Sequence, residues 1–195
     1  PRLFVFDNVD PAQLSSFLNW LGDALDGTIF NVISKGGQAA ETVAQFLIIH
    51  EMLVNKYGQE SLAEHIVATT GFDTNEKGVF KSSLYKIAGT ARPELPLLEV
   101  PKGVGGRFSV LSAVGLFSAA MCGIDIDSLL AGARDMDERV SCEDFYKNPA
   151  AIIAAINYHF YNRGKKISVM MPYSCALKDW ADWYRQLWAE SLGKS

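Results

Sequence analysis

Two short stretches of the 195-residue chain carry the residue types needed to bind and polarise a small anion. The first is Ser34-Lys35-Gly36-Gly37, which follows an apolar run and precedes a helical pattern beginning near Ala39 to Glu41. Glycines let the backbone bend tightly and turn its amides outward. A helix N-terminus adds partial positive charge, and the two together cradle an anion, most often phosphate. Ser34 adds a hydroxyl and Lys35 a cation. The spacing is not that of a P-loop, and read locally the Gly-Gly pair fits a plain strand-to-helix turn more readily. The second stretch is Lys102-Gly103-Val104-Gly105-Gly106-Arg107-Phe108-Ser109, with three glycines ahead of an arginine. An arginine presented by a Gly-rich loop can stabilise an oxyanion or hold a phosphate. Read alone, it fits a flexible loop with a solvated arginine better. Ser109 stands where it would cap the following helix.

Other chemistries find less support. His50, His65 and His159 have no metal-ligand spacing and read as structural or surface residues. Cys122, Cys142 and Cys175 are far apart and form no C-x-x-C pair, so neither a zinc site nor a thioredoxin-like motif is predicted. Reduced thiols in a cytoplasmic protein are the expectation. No metal and no cofactor are predicted. The net charge is -4 without basic clusters, which argues against a nucleic-acid partner but not against a small anionic one. No apolar run approaches a membrane span, and no membrane partner is predicted. Trp180, Trp183, Tyr184, Leu187 and Trp188 lie at helical spacing as an aromatic stripe, read as packing onto a sheet or onto further protein rather than as a ligand site.

The elements that must position these loops alternate. Strands are predicted at Leu3 to Phe6, Thr28 to Ile33, His65 to Thr70, Leu97 to Val100 and Lys166 to Met171. Helices are predicted from Asp10-Pro11 to Gly27, from about Ala39 to Gly58, over Val79 to Ala88, and from Cys175 to Leu192. Ser109 to Tyr161 reads as helical throughout, with breaks near Gly123 and Asn148-Pro149. The pattern predicts an α/β fold: a three-layer, doubly wound parallel sheet with helices on both faces, as one domain over residues 1–195. In such sheets ligands sit at the carboxyl ends of the strands. That singles out Asp7-Asn8, Ser34 to Glu41, Thr69 to Asp73, Pro101 to Ser109 and Pro172 to Ser174.

The run Val104-Gly-Gly-Arg-Phe-Ser-Val-Leu-Ser-Ala-Val-Gly115 resembles the first signature of the glucose-6-phosphate isomerase family. Asp7-Asn-Val-Asp-Pro11, Asn31-Val-Ile-Ser-Lys35, Met171-Pro-Tyr-Ser174 and Leu187-Trp-Ala-Glu-Ser-Leu-Gly-Lys194 are similar to further family segments in the same order, with a bacterial look. The resemblance implies a sugar-isomerase (SIS), flavodoxin-like module. It also implies interconversion of glucose 6-phosphate and fructose 6-phosphate through a cis-enediolate, in glycolysis and gluconeogenesis, without a cofactor. It assigns Arg107 to the enediolate. Gly105 and Gly106 supply the backbone beside it, Ser34 and Lys35 the start of the phosphate loop, and Glu41 and Thr42 its end. Gly36, Gly37 and Gln38 fall within that loop.

The family loop reads Ser-Lys-(Ser/Thr)-x-Thr-Thr, and here Gly36, Gln38 and Ala39 replace its hydroxyls. Backbone amides, Ser34 and the Gln38 amide remain, which implies weaker or rearranged phosphate binding. The resemblance places the base glutamate, the ring-opening histidine and a late lysine downstream of the Glu-Ser-x-Gly-Lys segment, and a Gly-rich strand upstream of Pro1. The expectation is therefore a fragment that is inactive alone, taken from an enzyme that is a homodimer. The competing expectation is a stand-alone SIS module that binds a phosphosugar without catalysis.

Overall fold

The three strands of the sheet are short and mostly apolar: β1 (Phe30–Ile33), β2 (Ile66–Thr70) and β3 (Leu97–Glu99). They lie in the order β1-β2-β3 with both pairings parallel, Phe30 opposite Ile66 and Ala68 opposite Leu97. Parallel strands need covering, and helices intervene in the chain between them. The computed structural model describes residues 2–91 and 93–193. Contacts group the chain into two compact units, residues 1–124 and 125–195.

In the first unit, α1 (Pro11–Leu21) starts as its sequence dictates. The Asp10 carboxylate accepts hydrogen bonds from the Ala12 and Gln13 amides at 2.9 and 3.1 Å, with Pro11 in the first turn. The helix stops at Leu21, and Gly22 to Gly27 form a 3-10 turn instead of the predicted continuation. Next come α2 (Ala40–Tyr57), the short α3 (Leu62–His65) and α4 (Ser83–Thr90). The last begins four residues later than the pattern predicts, because Ser82 caps it by accepting from the Tyr85 amide. Val32, Ile66 and Ala68 of the sheet join Leu21, Leu25, Phe46, Leu53, Leu62, Leu84, Ala88 and Leu95 in one core. Leu53, Ile66, Ala68 and Ala88 are wholly inaccessible. Each buried Leu or Ile removes enough apolar surface to stabilise the unit by about 1.5–3 kcal/mol. At the amino ends of the strands, His65 stacks on Tyr57 and reaches the Thr28 carbonyl at 3.1 Å. Tyr57 and Lys56 both donate to Asp26. These bonds, Tyr57's first, hold the Asp26 carboxyl below its usual range. The unit closes with α5 (Ala113–Met121), capped by Ser112, not by the predicted Ser109.

The predicted first strand does not form. Leu3, Phe4 and Val5 are exposed and have no ladder partner among the described residues, and the segment is held by Phe4 and Phe6 against Phe17 at 4.9 and 4.8 Å. The Asn8 carbonyl also accepts from the Gln45 side chain at 3.1 Å, tying the segment to α2.

The second unit comprises α6 (Ile126–Val140), α7 (Pro149–Asn162) and α8 (Lys178–Leu192). Asp125 and Asn148 cap α6 and α7, so the predicted breaks near Gly123 and Asn148-Pro149 are borne out. The hydroxyl and amide of Ser128 donate to Asp125 and hold its carboxyl below the ordinary range. None of the three helices contains a buried residue. The strand predicted at Lys166 to Met171 is also absent. Ile167 and Val169 are exposed, and no strand among the described residues pairs with them, so their backbone groups have no ladder to join. The aromatic stripe of α8 forms as a ladder, Trp180 to Tyr184 at 6.4 Å and Tyr184 to Trp188 at 5.8 Å. Trp180 and Trp188 are exposed, and Trp183, Tyr184 and Leu187 are half-buried.

Candidate functional site

Two of the segments singled out from the sequence meet at the carboxyl edge of the sheet. The loop after β1 begins with Ser34, whose amide continues the ladder by donating to the Thr69 carbonyl at 3.0 Å. Ser34 and Gly37 are buried; Lys35, Gly36 and Gln38 are exposed; Thr42 is half-buried. Gly37 has φ +64°, and a Cβ there would lie 2.4 Å from the Leu84 amide nitrogen and 2.7 Å from the Ser82 hydroxyl. The loop therefore rests directly on the start of α4, and only glycine fits at 37. At Gly36 a Cβ would meet open space.

A buried relay of hydroxyls supports this loop from below. The Tyr85 amide donates to Ser82 Oγ at 3.2 Å. Ser82 Oγ and Thr70 Oγ1 are 2.6 Å apart, and Thr70 Oγ1 donates to the Ser34 carbonyl at 2.6 Å. Thr70 has one hydroxyl proton and gives it to Ser34, so Ser82 is the donor between them. Both hydroxyls are almost inaccessible, and bonds in such a chain polarise one another. Sequence reasoning singled out Thr69 to Asp73 only as a strand end. The available signal was a pair of threonines closing an otherwise apolar strand. The neighbouring Asn31 accepts from the Thr69 hydroxyl at 2.7 Å, while its own side-chain amide is buried without a partner.

Above the relay, α2 begins at Ala40 with no side chain capping its first amides. Unpaired amides and the helix dipole favour an anion there. Beneath the loop, Val32, Ser34, Gly37, Thr42, Val43, Phe46, Leu84 and Ile87 enclose a cavity of only about 10 Å³. That is room for a single water at most, too little for a phosphate.

The second loop, after β3, carries Arg107. Gly106–Phe108 form a 3-10 turn, with Gly105 and Gly106 exposed and Arg107 half-buried, its guanidinium 5.6 Å from the Phe108 ring. Ser109 is buried and donates its hydroxyl to the Gly106 carbonyl at 2.7 Å, which closes this turn and explains why it does not cap α5. At Gly115 a Cβ would lie 2.2 Å from the Val110 carbonyl oxygen, so the last glycine of the signature-like run is required by a close backbone approach. Lys35 joins the two loops, donating from Nζ to the Val104 carbonyl at 2.8 Å. The result is a glycine-rich loop at the start of α2 set beside a loop that presents an arginine. Such a pair can fix a phosphate and stabilise negative charge developing nearby.

Pro172 to Ser174 belong to the second unit, where Tyr173 is almost fully exposed and Ser174 caps the turn before α8. Lys194, which closes the last family-like segment, lies outside the described residues. His50 sits edge-on to Phe46 and His159 against Phe160, so neither they nor His65 belong to the two loops. No described helix is long and apolar enough to cross a membrane.

The phosphoglucose isomerase family profile matches residues 1–195. The chain is 43% identical over 194 residues to a glucose-6-phosphate isomerase of Carboxydothermus hydrogenoformans, covering 100% of this chain and 39% of that protein. It is 44% identical over 195 residues to one of Rubrobacter xylanophilus, covering 100% and 42%. Among solved structures, a hypothetical protein of Thermus thermophilus matches at TM-score 0.87 and 33% identity, over 99% of this chain and 43% of that one. A glucose-6-phosphate isomerase of Chlamydia trachomatis matches at TM-score 0.75 and 25% identity, over 96% and 34%. These likenesses carry the predicted α/β, SIS-type fold. The chain spans about two fifths of the length of the curated relatives it matches.

Proposed function

Because the chain belongs to the phosphoglucose isomerase family, we propose that it supplies the phosphate-anchoring and enediolate-stabilising part of an aldose–ketose isomerase acting on glucose 6-phosphate and fructose 6-phosphate. The observation that carries this reading is the Lys35–Val104 bond, which sets the anion loop beside the loop of Arg107. In the mechanism, backbone amides from Lys35 to Thr42 and the Ser34 hydroxyl hold the phosphate. Holding that end fixes the sugar carbons in place and makes proton transfer an intramolecular step. Arg107 opposes the charge that accumulates on the two oxygens as the proton leaves carbon, with Gly105 and Gly106 allowing close approach. The proton itself is moved by a carboxylate of matched pKa, which the family resemblance does not place among residues 1–195. Dimeric assembly of the enzyme and a cytoplasmic setting belong to the same reading.

Calorimetry with 6-phosphogluconate tests it. Ser34→Ala is expected to weaken binding more than Arg107→Ala, since the first residue holds the phosphate and the second waits for the enediolate. Gly36→Thr restores a hydroxyl where a side chain has room, and it is expected to tighten binding several-fold, as one added hydrogen bond to a charged group does. No binding by the unaltered chain would sink the reading. The span of two fifths also suits a second reading, a phosphosugar-binding module without chemistry. A coupled assay on this chain, alone and mixed with the remaining part of the Carboxydothermus protein, separates the two. Turnover in either sample favours the isomerase, and binding without turnover in both favours the module.

A further inference from the structure

We propose that Lys35 is a positioning residue that couples the anion loop to the arginine loop; this deepens, and rests on, the sugar-phosphate reading. Lys35 sits at the carboxyl edge of the sheet and contacts the segments that follow all three strands. It belongs to the loop after β1. Its carbonyl accepts from the Gly71 amide, just after β2, at 3.0 Å. Its Nζ donates to the Val104 carbonyl, after β3, across 69 residues of sequence at 2.8 Å.

The loop that Lys35 holds is rich in glycine. Gly103, Gly105 and Gly106 offer no side chain, and Gly105 and Gly106 are exposed. Its backbone bonds are local. Val104 donates to Pro101 at 3.2 Å, Phe108 to Gly105 at 3.0 Å and Ser109 to Gly106 at 3.2 Å. These bonds shape the two turns from within. The lysine bond is the one that ties Val104 directly to the anion loop. Arg107 follows three residues after the anchored carbonyl, so the same bond sets the start of the arginine's turn.

The partner is a neutral carbonyl rather than a carboxylate. No carboxylate among the described residues pairs with it. Two of its three N–H donors remain for an anion in the cradle. An anion that draws on those donors fixes the ammonium and, through Val104, steadies the loop of Arg107. Occupancy at Ser34 to Thr42 is thereby transmitted to residues 104–109.

Hydrogen exchange on the millisecond-to-minute scale tests the coupling in two stages. Without ligand, Lys35→Met is expected to speed exchange of the Val104, Phe108 and Ser109 amides about tenfold, the loss expected for one bond from a charged donor. Lys35→Arg, which can still reach the carbonyl, should stay close to the unaltered chain, and the β2 amides should be unchanged in both. Unchanged exchange at 104–109 in Lys35→Met would overturn the proposal. Should Lys35→Met lose protection in β2, Lys35→Gln takes its place in the same readout. With saturating inorganic phosphate or 6-phosphogluconate, the unaltered chain should gain protection at both loops. Lys35→Met should gain it only at 34–42. Protection of 104–109 in the liganded Lys35→Met chain would also overturn the coupling. If neither ligand protects either loop of the unaltered chain, the sugar-phosphate reading fails, while the ligand-free stage still decides whether Lys35 positions Val104.

Discussion

The two units have similar apolar sequences and opposite packing. In residues 1–124 the helices close over the sheet, and Leu53, Ile66, Ala68 and Ala88 are wholly shielded from water. In residues 125–193 no described residue is buried, although α7 reads Pro-Ala-Ala-Ile-Ile-Ala-Ala-Ile and is apolar on nearly every side. A helix of that kind is ordinarily an interior one. The difference teaches that helix formation and core formation are separate events. Caps at Asp125 and Asn148 and good helical residues suffice to draw α6 and α7, but burial needs a facing surface, and among the described residues only the first unit has a sheet to provide it. Both candidate loops lie in that unit, on a support rigid enough to hold a geometry.

The largest expected contrast is in core truncation. Leu53→Ala should destabilise the first unit by about 2–5 kcal/mol, because a fully buried leucine leaves a cavity. Ile153→Ala, at a position 58% exposed, should change stability by no more than about 0.5 kcal/mol. Urea unfolding followed by amide protection in β2 and in α7 measures both, and equal effects would break the comparison. Next is one substitution with opposite signs. Gly37→Ala forces a left-handed backbone and a clash with α4, and should cost about 1–3 kcal/mol. Gly132→Ala, inside α6 with nothing near its Cβ, should stabilise that helix by up to about 1 kcal/mol. Melting curves by circular dichroism give the signs.

Ser82→Ala removes a cap and leaves the Thr70 hydroxyl short of a donor. A loss of about 1 kcal/mol is expected from the cap alone, together with weaker 6-phosphogluconate binding, because the Ser34 loop loses its support. Binding unchanged beside a loss of stability would separate the relay from the site. The smallest effect is at Asp125, whose carboxyl titrates below its ordinary value because Ser128 donates to the charged form. A depressed folded-state value means the contribution is complete above about pH 4, the unfolded-state range, and fades as pH falls through the folded value. Amide protection at the start of α6 should weaken on acidification and lose that dependence in Asp125→Asn. An acid response that persists in Asp125→Asn would assign it to another group.

What could be read from the sequence was what is local. Asp10-Pro11 starts a helix with its own atoms, and Gly58 ends one. The strands β1 to β3 were legible because each is a short apolar run with a neighbour to pair with. Leu3 to Phe6 and Lys166 to Met171 carry the same signal, and nothing within either run says whether a ladder partner stands beside it. The choice of Ser112 over Ser109 as the cap depends on the Gly106 carbonyl taking the Ser109 hydroxyl, a preference no spacing rule contains. For the site, the residues of each loop were legible as contiguous motifs. Their junction was not, because Lys35 and Val104 are joined across 69 positions, and the supporting pair Thr70 and Ser82 comes from two further elements.

The placement of the tryptophans has an optical consequence. Of the four in the chain, Trp180, Trp183 and Trp188 lie on α8, and Trp20 stands 57% exposed on α1. Intrinsic emission therefore comes mostly from the unit without a core, where Trp180 and Trp188 are exposed and Trp183 is half-buried. Unfolding the sheet would shift that emission little, and a fluorescence melt would report on the wrong half. Tyr57, stacked on His65 and bonded to Asp26 at the amino edge of the sheet, is the better-placed native chromophore. Its near-ultraviolet absorbance follows the region on which the phosphate loop depends.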